Sequence, residues 1–169
     1  MALKHYLATL FLWCSILTFG QNKPPEPTYP RVTGYVGVIH PVITFSRQNT
    51  LNFKDNYVVG FPVGLNLWKT PKAGFSLEIV PLILSEKGTS RVSNLLIHPG
   101  VLVALGKGYT FAGRAAFETS GRYGLTPVLN KVVKKNKHSG YYIALPLPLR
   151  FGNGRPASFT LGFQFGLNF

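Results

Sequence analysis

A few ionisable side chains stand out in a chain whose charged fraction is only 14%. Glu78, Arg114, Glu118 and Arg150, with His40 and His98, fall on one predicted face of a set of extended segments. Two chemistries suit such a group. One is acid/base work on a lipid ester, with His40 or His98 as base and Ser76 or Ser158 as nucleophile. Neither serine lies in a recognisable nucleophile motif, and no catalytic residue is assigned. The other is a self-neutralising network: two acids and two bases sum to zero, which suits a narrow interior where an isolated charge is costly. The network is the preferred reading. Metal and cofactor sites are not expected. His5, His40, His98 and His138 are dispersed without HxH or HxxxH spacing. Gly106-Lys107-Gly108 lacks the rest of a phosphate-binding loop and reads as a turn.

The elements that must hold these residues alternate with a period of two. In the last segment Phe159, Leu161, Phe163, Phe165, Leu167 and Phe169 share one face, and Ser158, Thr160, Gly162, Gln164, Gly166 and Asn168 share the other. A helix would scatter the same apolar set round its axis. Residues 109–118, 56–68 and 74–84 repeat the pattern, with Arg114, Glu118 and Glu78 on the small or polar side. Residues 34–46, 95–105 and 141–151 are apolar on both faces and alternate weakly. Segments of this length exceed the five or six residues usual in soluble sheets and match a tilted transmembrane strand of about 9–11 residues. Tight turns at 71–73 and 106–108 contrast with longer polar connections expected at 47–55 and 85–93.

Seven segments are plain, and single-chain bacterial barrels have even strand numbers. Residues 122–133 supply the preferred eighth strand; the rival is one long strand over 109–130. The fold expected is an all-β, antiparallel, up-and-down transmembrane β-barrel, most simply of eight strands. Proline recurs inside the predicted strands, at 41, 62, 81, 99, 127, 146 and 148. Proline cannot donate to a ladder, so each should mark a bulge, a strand end or a break in pairing.

Residues 1–20 read as a secretory signal peptide: Lys4 and His5 precede the apolar run Tyr6–Phe19, and Thr18 and Gly20 are small residues before a cut at Gln21. That run is shorter than the roughly 20 residues that cross a bilayer as a helix. Trp13 before Cys14 is the wrong neighbour for lipidation. Pro24, Pro25, Pro27 and Pro30 make 21–30 an extended leader, and the barrel is assigned to 31–169. The net charge is +13. With an export signal first and no nucleic-acid motif after it, that charge fits an anionic membrane surface better than nucleic acid. The run Lys131, Lys134, Lys135, Lys137 and His138 is a solvated turn or a contact with lipid phosphates. Tyr123, Tyr141, Tyr142 and Trp68 are candidates for interfacial girdles.

The alternation Phe163, Phe165, Leu167 closing on Asn168-Phe169 resembles the last strand of outer-membrane β-barrel proteins, the eight-stranded OmpA/OmpX-like barrels being nearest in size. The resemblance implies outer-membrane residence, contact with outer-membrane lipid, and export and barrel-assembly machinery as partners, the latter reading Phe169, Phe165 and Leu167. It implies no shared activity. The function expected is a non-enzymatic barrel with a structural, adhesive or narrow-lumen transport role. The alternatives are a membrane-embedded lipid-modifying enzyme and a secreted soluble barrel binding an apolar ligand.

Overall fold

The computed structural model describes residues 27–54 and 56–169. The expected signal peptide and most of the leader lie outside the described residues. Eleven strands follow in order: β1 Arg31–Phe45, β2 Thr50–Leu51, β3 Tyr57–Gly60, β4 Val63–Trp68, β5 Ala73–Glu86, β6 Thr89–Gly106, β7 Tyr109–Glu118, β8 Tyr123–Lys135, β9 Gly140–Pro146, β10 Leu149–Phe151 and β11 Ser158–Asn168. All pairings are antiparallel between chain neighbours, and β11 returns to pair with β1 from Tyr35↔Asn168 to Phe45↔Phe159. The sheet is therefore a closed up-and-down barrel. Phe169 completes the seam through reciprocal backbone bonds with Gly34 of 2.8 and 2.9 Å.

Eleven strands make eight staves. β3 and β4 are one stave interrupted at Phe61-Pro62, β9 and β10 are another interrupted at Leu147-Pro148, and β2 is a short ribbon against the end of β1. The eighth stave is β8, as expected from 122–133, and the single long strand over 109–130 is not formed, because residues 119–122 turn. The expected loop over 85–93 is corrected. β5 and β6 stay paired as far as Glu86↔Thr89, and the reversal needs only Lys87 and Gly88, both at positive φ.

Most of the prolines sit at irregularities of the wall. The β1 register shifts between Pro41 and Ile43, Pro62 ends the gap between β3 and β4, and Pro146 and Pro148 bracket the gap between β9 and β10. Beside Pro99 the β6–β7 ladder skips from Ile97↔Phe117 to Gly100↔Arg114. The neighbouring amides still find acceptors: Gly37 donates to Pro62 O, Phe61 to Pro81 O, Leu147 to Pro127 O and Thr160 to Pro148 O, at 2.9–3.1 Å. A wall facing hydrocarbon would require that, since no water would be there to complete the count.

The alternation sorts as the sequence predicts. Phe75, Leu77, Ile79, Val101, Phe111, Phe117, Leu125, Ile143, Phe163 and Phe165 are exposed on the outer wall, while Ser76, Glu78, His98, Arg114, Thr126, Arg150 and Gln164 are buried inside. A soluble barrel for an apolar ligand is expected to have the opposite polarity.

Candidate functional site in the lumen

The narrow lumen is filled at mid-height by a continuous polar plug. Glu78 on β5 is its centre. Its Oε2 accepts from Tyr35 Oη at 2.8 Å, and its Oε1 accepts from His98 Nδ1 at 2.9 Å and Arg114 Nη1 at 3.2 Å. Arg114 Nη2 also donates to Tyr35 Oη at 2.8 Å and Ser76 Oγ at 3.4 Å. His98 Nε2 accepts from Arg150 Nη2 at 3.1 Å, so one imidazole tautomer serves both acid and base. Arg150 Nε reaches Glu118 Oε1 at 2.6 Å, and its Nη1 donates to Thr126 Oγ1 and to the carbonyls of Leu125 and Leu149. Glu118 accepts further from Asn94 and Ser120.

Backbone register makes room for these groups. Tyr35 and Glu78 both lie opposite Gly64, Arg114 opposite Gly100, Arg150 opposite Gly124 and Tyr142 opposite Gly166. A methyl on Gly64 would fall inside the Tyr35 ring, and one on Gly100 would stand 2.7 Å from Arg114 Cγ. Each of these five residues thus lies across a position with no side chain. Glu78 and His98 are themselves cross-strand partners.

Five of the six residues expected in the network meet: Glu78, His98, Arg114, Glu118 and Arg150. His40 does not, which corrects its placement on the lumen face. It pairs with outward Phe163 and stacks on that ring at 5.1 Å, with Phe53, Tyr57 and Phe165 around it. Its Nδ1 shares a 2.9 Å hydrogen bond with Tyr57 Oη. The first strand is apolar on both faces, so alternation there could not decide the side. Tyr142 and Trp68 are likewise corrected: both point into the lumen, while Tyr123 and Tyr141 are exposed outside. Ser76 and Ser158 accept from Arg114 and Arg122, and neither bonds a histidine. Tyr35, Gln164 and Thr126 were missed. The signal that could find Tyr35 is its glycine partner, which only the strand register reveals.

The plug separates two vestibules. The one towards the loops has a volume of about 320 Å³, with Ile39, Val80, Leu82 and Leu96 on its walls and Glu78, His98 and Arg150 on its floor. The one towards the chain termini, about 300 Å³, has Tyr35, Arg114 and Gln164 for a floor and Trp68, Asn66, Asn130 and Asn168 along its sides. Arg114 Nε, Asn66 Oδ1 and Asn168 Oδ1 are buried without a partner. Such groups cost about 1–3 kcal/mol each when left unpaired, and native structures contain few.

The terminal end is strongly basic. Arg31, Lys69, Lys72, Lys107, Lys131, Lys134, Lys135 and Lys137 lie there, and among the described residues no Asp or Glu accompanies them. Lys131 is tied down, its Nζ 3.9 Å from the centre of the Tyr109 ring and bonded to Lys107 O, whereas Lys134, Lys135 and Lys137 are exposed. On the outer wall Phe165, Leu167 and Phe169 line up beside the closing seam, opposite Val38, Val36 and Gly34.

The sequence matches no family model and no curated protein. Among solved structures, one described as "De novo design of transmembrane beta-barrels" overlaps at a TM-score of 0.42 and 10% identity, covering 82% of this chain and 98% of that one. The overlap is too loose to argue from, and the functional reading rests on the geometry above.

Proposed function

We propose that this chain is a non-enzymatic outer-membrane β-barrel, of the small OmpA/OmpX-like kind its last strand resembles, with a structural or adhesive role and a lumen closed to bulk flow. One observation carries the reading: an apolar outer wall encloses a charged, hydrogen-bonded plug. Water would favour the reverse, since large exposed apolar surfaces on soluble monomers are rare. An eight-stave barrel has an interior that side chains can fill, and this plug uses that room. The basic terminal end suits anionic headgroups or phosphates, and the seam-side row Phe165, Leu167, Phe169 suits recognition by barrel-assembly machinery after export. The lipid-enzyme alternative has less support, because both nitrogens of His98 are engaged and His40 lies outside the lumen, stacked among aromatic rings.

The test has two arms on the full chain. In cell fractionation the protein should stay in the membrane pellet until detergent is added, and migrate faster on SDS gels unheated than boiled. In planar bilayers it should show no sustained open channel, while Arg150→Ala or Glu78→Ala should admit current. A detergent-independent soluble protein overturns membrane residence; steady conductance by the unaltered chain overturns the closed lumen.

A further inference from the structure

Three observations meet on the outer wall where β8, β9 and β11 run side by side. The first is an open groove lined by the exposed side chains of Leu129, Ile143, Leu145, Phe163 and Phe165. Its volume, about 540 Å³, exceeds that of either lumen vestibule and falls in the range of ligand sites. The second is a cation at one end of it. The outward positions of β8 run Leu125, Pro127, Leu129, Lys131, Val133, so Lys131 stands in an otherwise apolar row, and it lines the same groove. Lys131 shares a ladder row with Ile143 and Phe165, while Leu129 and Leu145 make the next row, farther from the terminal end. Its Nζ is held at the rim by Lys107 O at 2.5 Å and by the Tyr109 ring, 3.9 Å to the centre. An ammonium has three donors, and among the described residues no carboxylate pairs with this one. The third is a bulge. The β8–β9 register shifts between Val132 and Lys134, which places Lys134 opposite the outward Tyr141. Regular alternation would send residues 131 and 134 to opposite faces; the extra residue brings both lysines to the outer wall.

From this arrangement we infer that the groove holds an acyl chain of an anionic glycerophospholipid, whose headgroup phosphate is bound by Lys131 and Lys134. The proposal rests on the membrane reading and gives it a fixed place and direction. Charge lies at the rim, and the apolar rows lead from it towards the height of Gln164 and the plug, the order in which a lipid presents headgroup and tail to a protein wall. A free phosphate would use the lysines and leave the groove empty. A zwitterionic lipid would fill the groove and gain little from two cations. Lys69 and Lys72 belong to the same basic end, but they sit across the barrel in the β4–β5 turn and line no part of this groove.

The experiment adds three probes to the full chain folded in detergent micelles: dioleoylphosphatidylglycerol (anionic, with chains), dioleoylphosphatidylcholine (the same chains, zwitterionic) and glycerol phosphate (the charge without chains). Native mass spectrometry reads which of them stays bound. Phosphatidylglycerol should be retained about tenfold or more over phosphatidylcholine, on a scale of about fivefold per lysine at a charged surface, and glycerol phosphate should not be retained. Lys131→Gln with Lys134→Gln should remove the preference. Lys69→Gln with Lys72→Gln, which loses the same charge from the same end, should keep it. Ile143→Trp fills the groove, leaves both lysines in place and should lower phosphatidylglycerol retention severalfold. Unheated gel mobility confirms that each variant is folded. Equal retention of the two lipids overturns the site, and an equal loss in the Lys69 and Lys72 variant reduces it to a diffuse basic rim. Full retention by Ile143→Trp, or glycerol phosphate bound as well as the lipid, removes the acyl chain from the recognition; each of these overturns the proposal. A chain that fractionates without detergent overturns the membrane reading and this site together, whereas a membrane-resident barrel without lipid preference overturns the site alone.

Discussion

From β5 to β8 the wall is four long strands with extended ladders, while from β9 through β11 and β1 to β4 it includes two staves broken at proline and a third bulged beside one. The long-strand side carries Glu78, His98, Arg114 and Glu118; the broken side supplies Tyr35, Tyr142, Gln164 and one charge, Arg150. The contrast has a physical reason. A buried ion pair repays its desolvation only when its geometry is good, and long strands fix where side chains point even across the β5–β6 bulge at Leu82/Ile83 and the β6–β7 skip beside Pro99. Arg150 stands on a three-residue strand, yet it is the most heavily bonded side chain of the plug. It works as a clasp, holding a weak stave to the firm wall.

Removing the clasp should have the largest effect. Arg150→Ala leaves the Glu118 carboxylate without its cation and releases β10 from β8, an expected loss of about 3–5 kcal/mol for a broken buried pair. Urea unfolding in lipid vesicles measures it. A double-mutant cycle with Glu118→Ala isolates the pair, and a coupling near zero would show that the broken stave holds without it.

Much of this contrast could be read from the sequence, for reasons that differ by residue. Period two places Glu78, Arg114 and Glu118 inside, because each lies among outward-pointing aromatics or aliphatics such as Phe75, Leu77 and Phe117; Arg150 comes out inside as well, although 141–151 alternates weakly. His98 lies in a weakly alternating segment, yet its side is right. His40 lies in another, and its side is wrong, since a stretch apolar on both faces has no phase to read. The proline rule located the breaks at 62 and 146–148. The facing of Tyr35, Glu78, Arg114, Arg150 and Tyr142 onto glycine was out of reach, because it depends on which strands are neighbours and by how much they are staggered. The hairpin through Lys87-Gly88 was mistaken for a loop because polarity was taken for disorder of pairing. Ser85, Glu86, Thr89 and Ser90 pair beyond the apolar band.

The two outer walls should respond alike to a charge even though their ladders differ. Leu77 and Phe165 are exposed beside the plug residues Glu78 and Gln164, on the long-strand and broken sides respectively. Leu77→Arg and Phe165→Arg should each cost about 2–4 kcal/mol if this height is the bilayer midplane. Folding yields and urea midpoints in vesicles check this. A near-zero cost at both positions would remove lipid from the outer wall.

Glycine sharpens the comparison between inside and outside. Gly64→Ala drives a methyl into Tyr35 and should cost about 1–3 kcal/mol as an overpacked core does. Gly113→Ala, on the outer face of β7, meets only ordinary contacts of 3.6 and 3.8 Å to Phe111 and Val101. It should leave the urea midpoint unchanged or raise it. Equal costs at the two positions would mean that lumen crowding does not decide where glycine sits.

Pro62→Ala should have the smallest effect, and it asks whether proline makes the break or occupies it. Pro62 O already accepts from Gly37, so an amide restored at 62 would face the same strand. Regaining that donor is worth about 0.5–1.5 kcal/mol if it finds an acceptor, while freeing the unfolded chain costs about 0.4–1 kcal/mol. The terms nearly cancel, and the urea midpoint should barely move. Hydrogen exchange separates the two cases that the midpoint cannot. A protected amide at 62 means that the ladder heals and proline made the gap. Rapid exchange means that the bulge beside Pro41 and the Pro81 carbonyl's bond to Phe61 hold the stave open without it.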